Sequence, residues 1–494
     1  MSLINVSHLT FAYDGSYDDV FTDVSFQINT DWKLGFCGRN GRGKTTFLKL
    51  LMGMYPFGGE ITASVDFAYF PVIVEDHSRT TGDILSTVAP DAQDWEIQRE
   101  LFKLSMGDYT LHRPFSTLSG GEQTKALLAG MFLKENAFLL IDEPTDHLDM
   151  AARETVARYL NGKAGFILVS HDRKFLDGCT DHILSINKAN IEIQNGNFTS
   201  WYTNKQLQDS FEMAENERLQ HAVRRLTSTA QEKARWSDRV ESTKIGSHQA
   251  DRGYVGHKAA KMMKRSKAIE KRRQKANEEK SSLLQNIESA VDLKMHPLPY
   301  HTSRMIDLDR ISVSYGGREV FRDLSFTLER GDRIVLLGGN GAGKSSILKL
   351  ISGENIPYSG HVAVGSQLRI SYVPQDASFL KGSLQAYAKR IGIDETLFMT
   401  NLRQMDFSRT QLEKDMDALS AGQKKKILIA ASLSMQAHVY LWDEPLNYID
   451  VLSRIQIEDL IASYQPTMLF TEHDQAFCDR LATKTVRIHA FIAG

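Results

Sequence analysis

The chain has 494 residues, a formal net charge of −2 and an ordinary globular composition, with 42% hydrophobic and 24% charged residues. This length suits about three domains of roughly 150 residues each, and the composition excludes a wholly disordered chain. The three cysteines, Cys37, Cys179 and Cys478, have neither metal-cluster nor disulfide spacing, so a cytoplasmic, reducing location is expected. The N-terminus lacks a leader pattern, and no run approaches about 18 apolar residues, so no membrane span is expected.

One set of sequence motifs occurs twice, in the same order, along the chain. LGFCGRNGRGKTTFLKLL near residue 34 returns as VLLGGNGAGKSSILKLI near 335, LSGGEQTKALLA returns as LSAGQKKKILIA, and LLIDEPTDHLD returns as YLWDEPLNYID. Corresponding residues are 300 to 302 positions apart, as with Lys44 and Lys344 or His171 and His473. We therefore predict two homologous domains, residues 1–199 and 300–494, joined by a linker over residues 200–295.

Within each copy the pattern predicts an α/β fold. The short apolar runs AFLLID and GFILVS are typical of strands buried on both faces, and KTTFLKLLMG is typical of a helix. Strands of this kind, alternating with helices, indicate a largely parallel core sheet.

Two glycine-rich loops, GRNGRGKT and GGNGAGKS, match the phosphate-loop pattern. Their backbone N–H groups and the following helix bind phosphate, the lysine reaches the β- and γ-phosphates, and the hydroxyl offers a ligand to Mg²⁺. A plain strand-to-helix turn is the alternative, and two matches in register argue against it. The residues of the two loops that are predicted to bind ATP are Gly38, Asn40, Gly41, Gly43, Lys44, Thr45 and Thr46, and Gly338, Asn340, Gly341, Gly343, Lys344, Ser345 and Ser346.

A carboxylate pair follows a buried strand in each copy. Asp142 and Asp443 are predicted to hold Mg²⁺ with Thr45 and Ser345, directly or through water. The next residues are predicted to polarise the attacking water as general bases. These catalytic candidates are Glu143 and Glu444.

Histidine and tyrosine recur at matching offsets. His171 and His473 follow the next strand and are predicted to sense the γ-phosphate. Tyr13 and Tyr315 precede the phosphate-loop lysines by 31 and 29 residues and are predicted to stack on adenine, with ordinary core packing as the alternative. Cys37 is interpreted as buried packing.

The LSGGE and LSAGQ elements, together with the DEP motifs, resemble the signature of ABC ATPases. The resemblance implies that the signature of one domain closes over the nucleotide of the other. It implies two composite sites, ATP and Mg²⁺ as cofactors, and a clamp that closes when ATP binds. Ser420 and Gly422 would then cap ATP on Lys44, and Ser119 and Gly121 would cap ATP on Lys344.

The first copy departs from the family pattern. ABC domains carry a glutamine after the strand that follows the phosphate loop, a Mg²⁺-associated position that Gln375 occupies in the second copy and Val72 in the first. Asp146 replaces the usual asparagine after DEPT. Because valine can neither coordinate Mg²⁺ nor orient water, we expect slower hydrolysis at the Lys44 site.

The linker is the basic part of the chain. Residues 221–280 contain 17 Lys and Arg against 7 Asp and Glu, a net charge of +10 that leaves −12 for the remainder. Two helices, about 204–236 and 258–288, are predicted to form a hairpin roughly 50 Å long, with Phe211 facing the second helix. A solvated helix face is the alternative, but the imbalance of charge favours contact with RNA phosphates.

Two such domains around a charged linker resemble the ABC-F family, and GHKAAKMMKRSK and WDEPLNYID are similar to its Lsa/Vga-type resistance branch. The resemblance implies a monomer bound to the 70S ribosome near the exit-tRNA site, away from any membrane. It would protect against lincosamides, pleuromutilins and streptogramin A. Alternatives are a housekeeping translation factor and the ATPase of a drug exporter. The loop predicted to act near the drug site contains Lys244, Tyr254, His257, Lys258, Lys261, Lys264 and Arg265.

Overall fold

The computed structural model describes residues 2–14, 19–146, 148–186, 191–242, 293–316, 318–339 and 341–488, and also 264, 271 and 274. The described parts of residues 1–198 and 290–494 form one unit, which contains both predicted domains, and those of 199–289 form a second unit. Among the described residues, no helix combines the length and the apolar character needed to cross a bilayer.

The first domain alternates strands and helices. Its strands are β1 Leu3–Phe11, β2 Phe21–Asn29, β3 Lys33–Cys37, β4 Gly58–Thr62, β5 Asp66–Phe70, β6 Ala137–Asp142, β7 Phe166–Val169, β8 His182–Ile186 and β9 Ile191–Asn195. Its helices are α1 Lys44–Leu51, α2 Thr81–Val88, α3 Asp94–Lys103, α4 Gly120–Met131, α5 Met150–Asn161 and α6 Arg173–Cys179. The predicted strands and helix within these ranges are confirmed.

The second domain, which follows the long helix α7 Phe198–Ser242, repeats this order. Its strands are β10 Arg304–Tyr315, β11 Arg318–Glu329, β12 Arg333–Leu337, β13 Tyr358–Val364, β14 Ile370–Val373, β15 Val439–Asp443, β16 Met468–Thr471 and β17 Lys484–Arg487. Its helices are α8 Lys344–Ser352, α9 Leu384–Ile391, α10 Glu395–Gln404, α11 Arg409–Leu412, α12 Ala421–Ser434, α13 Val451–Tyr464 and α14 Gln475–Leu481.

Each domain has a core sheet and a smaller antiparallel sheet. The core sheets have the orders β5-β6-β7-β3-β8-β9 and β14-β15-β16-β12-β17, and all of their pairs are parallel except β8 with β9. The antiparallel sheets are β2-β1-β4 and β11-β10-β13. In the first domain an apolar core, with Phe47 of α1 at its centre, lies between the two sheets.

Strand order explains why distant motifs meet. The phosphate loop follows β3, the carboxylate pair follows β6, and His171 follows β7, the strand between them. Because parallel strands end at the same edge, these three segments converge at the carboxyl end of the sheet. The second domain repeats the arrangement with β12, β15 and β16.

The helix α7 has 45 residues and is about 68 Å long at 1.5 Å per residue. It confirms the first predicted linker helix and extends it, so that residues 237–242, predicted as loop, are helical. Phe211 is 70% exposed rather than covered as predicted. The predicted second helix and loop tip lie outside the described residues, apart from helical Lys264, Lys271 and Gln274.

The segment that returns from the linker is fixed into the second domain by Asn401 of α10. This fully buried amide accepts from Lys294 N at 3.1 Å and donates to Lys294 O at 3.2 Å and to Ser434 Oγ at 3.1 Å. Leu293 and Met295 on either side are buried in the core that includes α12. At the corresponding position of the first domain, Glu100 instead accepts from Tyr159 and Lys163.

We predict that Asn401→Ala destabilises the second domain. The change removes the hydrogen bonds to the partly buried N–H and C=O of Lys294 and to the buried Ser434 hydroxyl, which costs about 1–3 kcal/mol. Urea denaturation of the full chain should detect this loss. The control Asn195→Ala, at an exposed position of β9, should change stability by less than about 0.5 kcal/mol. Equal stability of the two variants would contradict the role given to Asn401.

Candidate functional site

The first phosphate loop joins β3 to α1. Gly41 and Gly43 have φ values of 83° and 94°, a left-handed conformation that glycine adopts without strain. Lys44 begins the helix, and its Nζ atom donates to Gly38 O at 2.7 Å and to Arg39 O at 3.3 Å. The ammonium group is thus held inside the ring of the loop, beside the N–H groups that open α1.

The second phosphate loop has the same geometry. Gly341 and Gly343 have φ values of 78° and 95°, and a Cβ atom at Gly343 would lie 2.6 Å from the Phe321 ring. Lys344 Nζ donates to Gly338 O at 2.8 Å and to Gly339 O at 3.1 Å. Asn340 lies outside the described residues.

The negative charge of a carboxylate from the other domain acts on each loop lysine. Burial lowers the pKa of Lys44, and the negative charge of Asp450 is the largest opposing influence. Burial also lowers the pKa of Lys344, with Asp149 among the opposing charges. The sequence analysis did not single out Asp149 and Asp450, although both end the repeated DEP segments and so carried a signal.

The two tyrosines are positioned alike. Tyr13 Oη and Thr46 Oγ1 are 2.7 Å apart, and Tyr315 Oη and Ser346 Oγ are 3.0 Å apart. The tyrosines are 43% and 45% exposed, but the Tyr13 ring also packs edge-on against Phe11 and Tyr55. Stacking on adenine stays a prediction.

Hydroxyl and carboxylate oxygens converge next to each loop lysine. Thr45 Oγ1 donates to Asp142 Oδ2 at 2.8 Å, and Tyr69 Oη donates to the same oxygen at 2.9 Å. In the second domain Asp443 Oδ1 accepts from Thr471 at 2.9 Å, whereas buried Asp443 Oδ2 has no hydrogen bond among the described residues. Hard oxygen donors with an unsatisfied carboxylate fit Mg²⁺.

Glu444 is held as an ionised carboxylate. Its Oε2 atom accepts from Gln375 Nε2 at 2.6 Å and from Asn447 Nδ2 at 2.9 Å, and its Oε1 atom lies 3.2 Å from His473 Nε2. Burial alone would raise the pKa of Glu444. The hydrogen bond and charge of His473, the hydrogen bond of Gln375 and the charge of Lys344 together lower this pKa to about 2.

Glu143 has the same backbone but a different environment. Both glutamates have left-handed φ values, 49° and 45°, a strained conformation that often marks active sites. His171 N donates to Glu143 Oε2 at 3.2 Å, and His171 Nε2 lies 3.2 Å from Oε1. Burial, with the charges of Asp146 and Asp142, raises the pKa of Glu143 to about 8. Burial also lowers the pKa of His171 well below its usual value.

The signature turn of the second domain approaches the first phosphate loop. Ser420 caps α12 by accepting from Gln423 N at 3.3 Å. Asn40 Nδ2 donates to Tyr448 O at 2.7 Å across the domain boundary. A Cβ atom at Gly422 would lie 2.5 Å from Tyr448 O and 3.2 Å from Asn40 Nδ2, so only glycine fits. The structure thus brings Gly422 to the Lys44 loop, as the resemblance implied.

The signature turn of the first domain approaches the second loop. Ser119 caps α4 in a capping box with Glu122, and Gly121 is the second residue of that helix. Gly120, between them, lines a cavity of about 580 Å³ together with Lys344, Ser345 and the second-domain catalytic candidates. Both domains therefore contribute to one pocket. The pocket is also lined by Asp146, Tyr315, Gln375, Glu444, Asn447, Tyr448 and His473.

The residues predicted to act near the drug site belong to the linker. Lys264 belongs to a described helical position, while the other six predicted loop residues lie outside the described part of the chain. These six are Lys244, Tyr254, His257, Lys258, Lys261 and Arg265.

Comparison with known proteins agrees with the geometry. The model of the family described as ABC transporter matches residues 21–146 and 321–447. Ribosome protection protein VmlR of Bacillus subtilis is 27% identical over 97% of this chain and 85% of its own length. The energy-dependent translational throttle protein EttA of Escherichia coli is 23% identical over 94% of this chain and 88% of its own.

A solved structure supports the fold. The archaeal ribosome recycling factor aABCE1, in complex with the ribosomal stalk protein aP1, superposes with a TM-score of 0.64 over 97% of this chain and 87% of its own. Because the two sequences are only 17% identical, this similarity supports the fold and nothing further. The two matched segments, which together span half of the chain, establish that this protein belongs to the ABC transporter family.

Proposed function

We propose that the chain is an ATP-hydrolysing ABC-F protein that binds the bacterial 70S ribosome near the exit-tRNA site. There it would dislodge lincosamides, pleuromutilins and streptogramin A from the peptidyl-transferase centre. The observation that carries the proposal is the similarity to ribosome protection protein VmlR, which extends over 97% of the chain and thus through the linker. A cytosolic monomer is sufficient, because one chain supplies both halves of each composite site.

The linker is the proposed ribosome-binding element. Its net charge of +10 over residues 221–280 suits a phosphate backbone, which binds basic segments through counterion release. The helix α7 provides a rigid arm about 68 Å long. We propose that the linker, residues 200–295 between domains 1–199 and 300–494, carries the contacts near the drug site.

In the proposed reaction Glu444 accepts the proton of the water that attacks the γ-phosphate. Its two amide donors and His473 hold the carboxylate ionised and oriented toward the pocket. Lys344 and the loop N–H groups bind the phosphates, and Tyr315 stacks on the adenine. Asp443 and Ser345, like Asp142 and Thr45 in the other site, would hold Mg²⁺, which supplies positive charge beside the phosphates when bound.

The two sites differ in how they support the general base. Gln375 and Asn447 donate to Glu444, whereas Val72 has no donor and Asp146 is an acceptor when ionised. Burial, with the charges of Asp146 and Asp142, raises the pKa of Glu143 to about 8, which disfavours its ionised form at neutral pH. We propose that the Lys344 site carries most of the turnover.

A second candidate function is a translation factor without drug protection. It is favoured by the similarity to EttA, a translational throttle protein that matches 94% of the chain. Both candidates involve the ribosome and ATP. They differ in whether expression of the chain alters drug susceptibility.

We predict that Glu444→Gln slows steady-state ATP turnover at least about 100-fold, the lower end of what a general base contributes. Glu143→Gln should slow it less than about twofold, because little turnover passes through that site. Phosphate release measured with saturating ATP and Mg²⁺ tests this difference. Equal slowing by the two substitutions would refute the asymmetry.

The residual turnover of Glu444→Gln should rise with pH. A carboxyl acts as a base only when ionised, so activity that depends on Glu143 should increase as pH passes about 8. Glu143→Gln should be flat from pH 7 to 9, because the pKa of Glu444 is about 2. Adding Asp146→Asn to Glu444→Gln should move the rise to lower pH, whereas exposed Asp91→Asn should leave it in place. A flat profile for Glu444→Gln contradicts the prediction.

Ribosome binding should require ATP. The Glu143→Gln, Glu444→Gln double variant should co-sediment with 70S particles in ATP and not without nucleotide. Replacing Lys258, Lys261 and Lys264 by Gln should weaken this binding and make its affinity depend less steeply on salt concentration than that of the parent. The control Lys414→Gln should have no effect. Failure to co-sediment in ATP would exclude the proposal.

Drug protection separates the candidate functions. Expression should raise the inhibitory concentrations of lincomycin and tiamulin, and the purified protein should restore translation by drug-inhibited ribosomes. Ribosome binding without either effect would favour the translation factor. Lower drug accumulation in cells without protection in the purified assay would favour export.

A further inference from the structure

A buried lysine lies behind the catalytic candidates of the second domain. Lys425, on α12, is 2% exposed, and its Nζ atom donates to Pro374 O at 2.8 Å and to Asp443 O at 3.3 Å. These two carbonyl groups belong to the residues that immediately precede Gln375 and Glu444. One ammonium group therefore bridges the two backbone segments that carry the glutamine and the general-base candidate.

The bridge lies where it can control the contact between Gln375 and Glu444. Gln375 Nε2 donates to Glu444 Oε2 at 2.6 Å, and each of these residues is joined by one peptide bond to a carbonyl group that Lys425 holds. A change in the separation of the two segments would therefore be passed to the side-chain contact. The nucleotide pocket is lined by Gln375 and Glu444 and not by Lys425, so the lysine can act on the reaction only through them.

The fold keeps this ammonium group buried against its cost in desolvation. Burial lowers the pKa of Lys425 to about 8, against the opposing charges of Glu472, Asp443 and Glu444. An apolar side chain of similar length would fill the same space without that cost. An amine that has lost one proton still has two N–H groups for two carbonyl groups, so the bridge forms on both sides of this pKa. What the position supplies is therefore a pair of hydrogen-bond donors.

The first domain lacks both the bridge and the glutamine. The repeat places Thr124 at the position of Lys425, and Val72 takes the place of Gln375. A cavity of about 410 Å³ is lined there by Val72, Thr124 and Glu143 among other residues. The duplicated fold thus forms without the lysine, and the lysine is present in the copy that has a glutamine to position.

We propose that Lys425 is a positioning residue of the Lys344 site, which holds the segments before Gln375 and Glu444 at the separation that lets the glutamine orient the general base. The proposal rests on the proposed hydrolysis at that site and adds a residue to it. Lys425 contributes to the chemical step rather than to nucleotide binding, because its hydrogen bonds are to the backbone behind the base.

Lys425→Met tests the proposal, because methionine has a similar length and no donor. We expect kcat to fall at least about tenfold, since misplacing a catalytic group by about 1 Å can cost about 100-fold. The KM for ATP should stay within about twofold, because the nucleotide contacts remain. Phosphate release measured over a range of ATP concentrations gives both values.

The matched control is Lys424→Met, at the adjacent and partly exposed lysine of the same helix. This substitution should change neither kcat nor KM. An unchanged kcat in Lys425→Met, or an equal fall in Lys424→Met, would overturn the proposal.

Double variants separate positioning from a merely structural role. The residual turnover of Glu444→Gln still needs a folded second domain, because Gly422 of that domain approaches the Lys44 loop. Adding Lys425→Met should slow this residual turnover less than about twofold, since the base that the lysine positions is already lost. Lys425→Met with Gln375→Ala should slow turnover by less than the product of the two single effects. A further fall of about tenfold in Glu444→Gln, or fully multiplicative effects with Gln375→Ala, would overturn the positioning role.

Failure of this proposal can be told apart from failure of the proposed function. If Glu444→Gln does not slow turnover, the assignment of the general base fails and the positioning role fails with it. If Glu444→Gln slows turnover and Lys425→Met does not, only the positioning role fails. Absence of ribosome binding would reject the ribosomal proposal and leave the role of Lys425 standing.

Discussion

Gly422 lies where the second domain meets the phosphate loop of the first, and every composite feature of the molecule depends on that close approach. Because a Cβ atom would collide with Tyr448 O, the missing side chain lets Asn40 reach across the boundary. Lys44 then lies within the field of Asp450, a carboxylate of the opposite domain. The nucleotide sites are therefore properties of the domain pair rather than of either fold alone, and any change in domain separation alters both the phosphate loop and its electrostatics.

Duplication has preserved the skeleton of the two sites while their polar environments have diverged. The loops, the tethered tyrosines and the left-handed glutamates coincide after an offset of about 300 residues. One glutamate has two amide donors, and the other has a valine and a second carboxylate in their place. The Lys344 site is thus the one whose general-base candidate has both amide donors.

Much of this arrangement could be predicted from sequence, because local patterns fix local structure. The repeat, the phosphate loops and the strand ends follow from glycine spacing and apolar runs, and the order of parallel strands then brings the motifs together. The cross-domain partners of Asp450 and Asn40 could not be predicted, since contacts across a domain boundary leave no periodic signal in one chain. The extent of α7 was also underestimated, because residues 237–242 have a loop-like composition and helical structure.

Asn401 gives the linker an unequal mechanical connection to the two domains. The side-chain amide of Asn401 on α10 makes two hydrogen bonds with the backbone of Lys294 in the returning chain. The same amide donates to Ser434 of α12, the helix that the signature Ser420 caps. Glu100, at the matching position of α3 in the first domain, instead accepts hydrogen bonds from Tyr159 of α5 and from Lys163 just beyond that helix. A pull on the chain at residue 293 would therefore act directly on α10 and α12 through Asn401, and on the apolar core of the second domain through Leu293 and Met295.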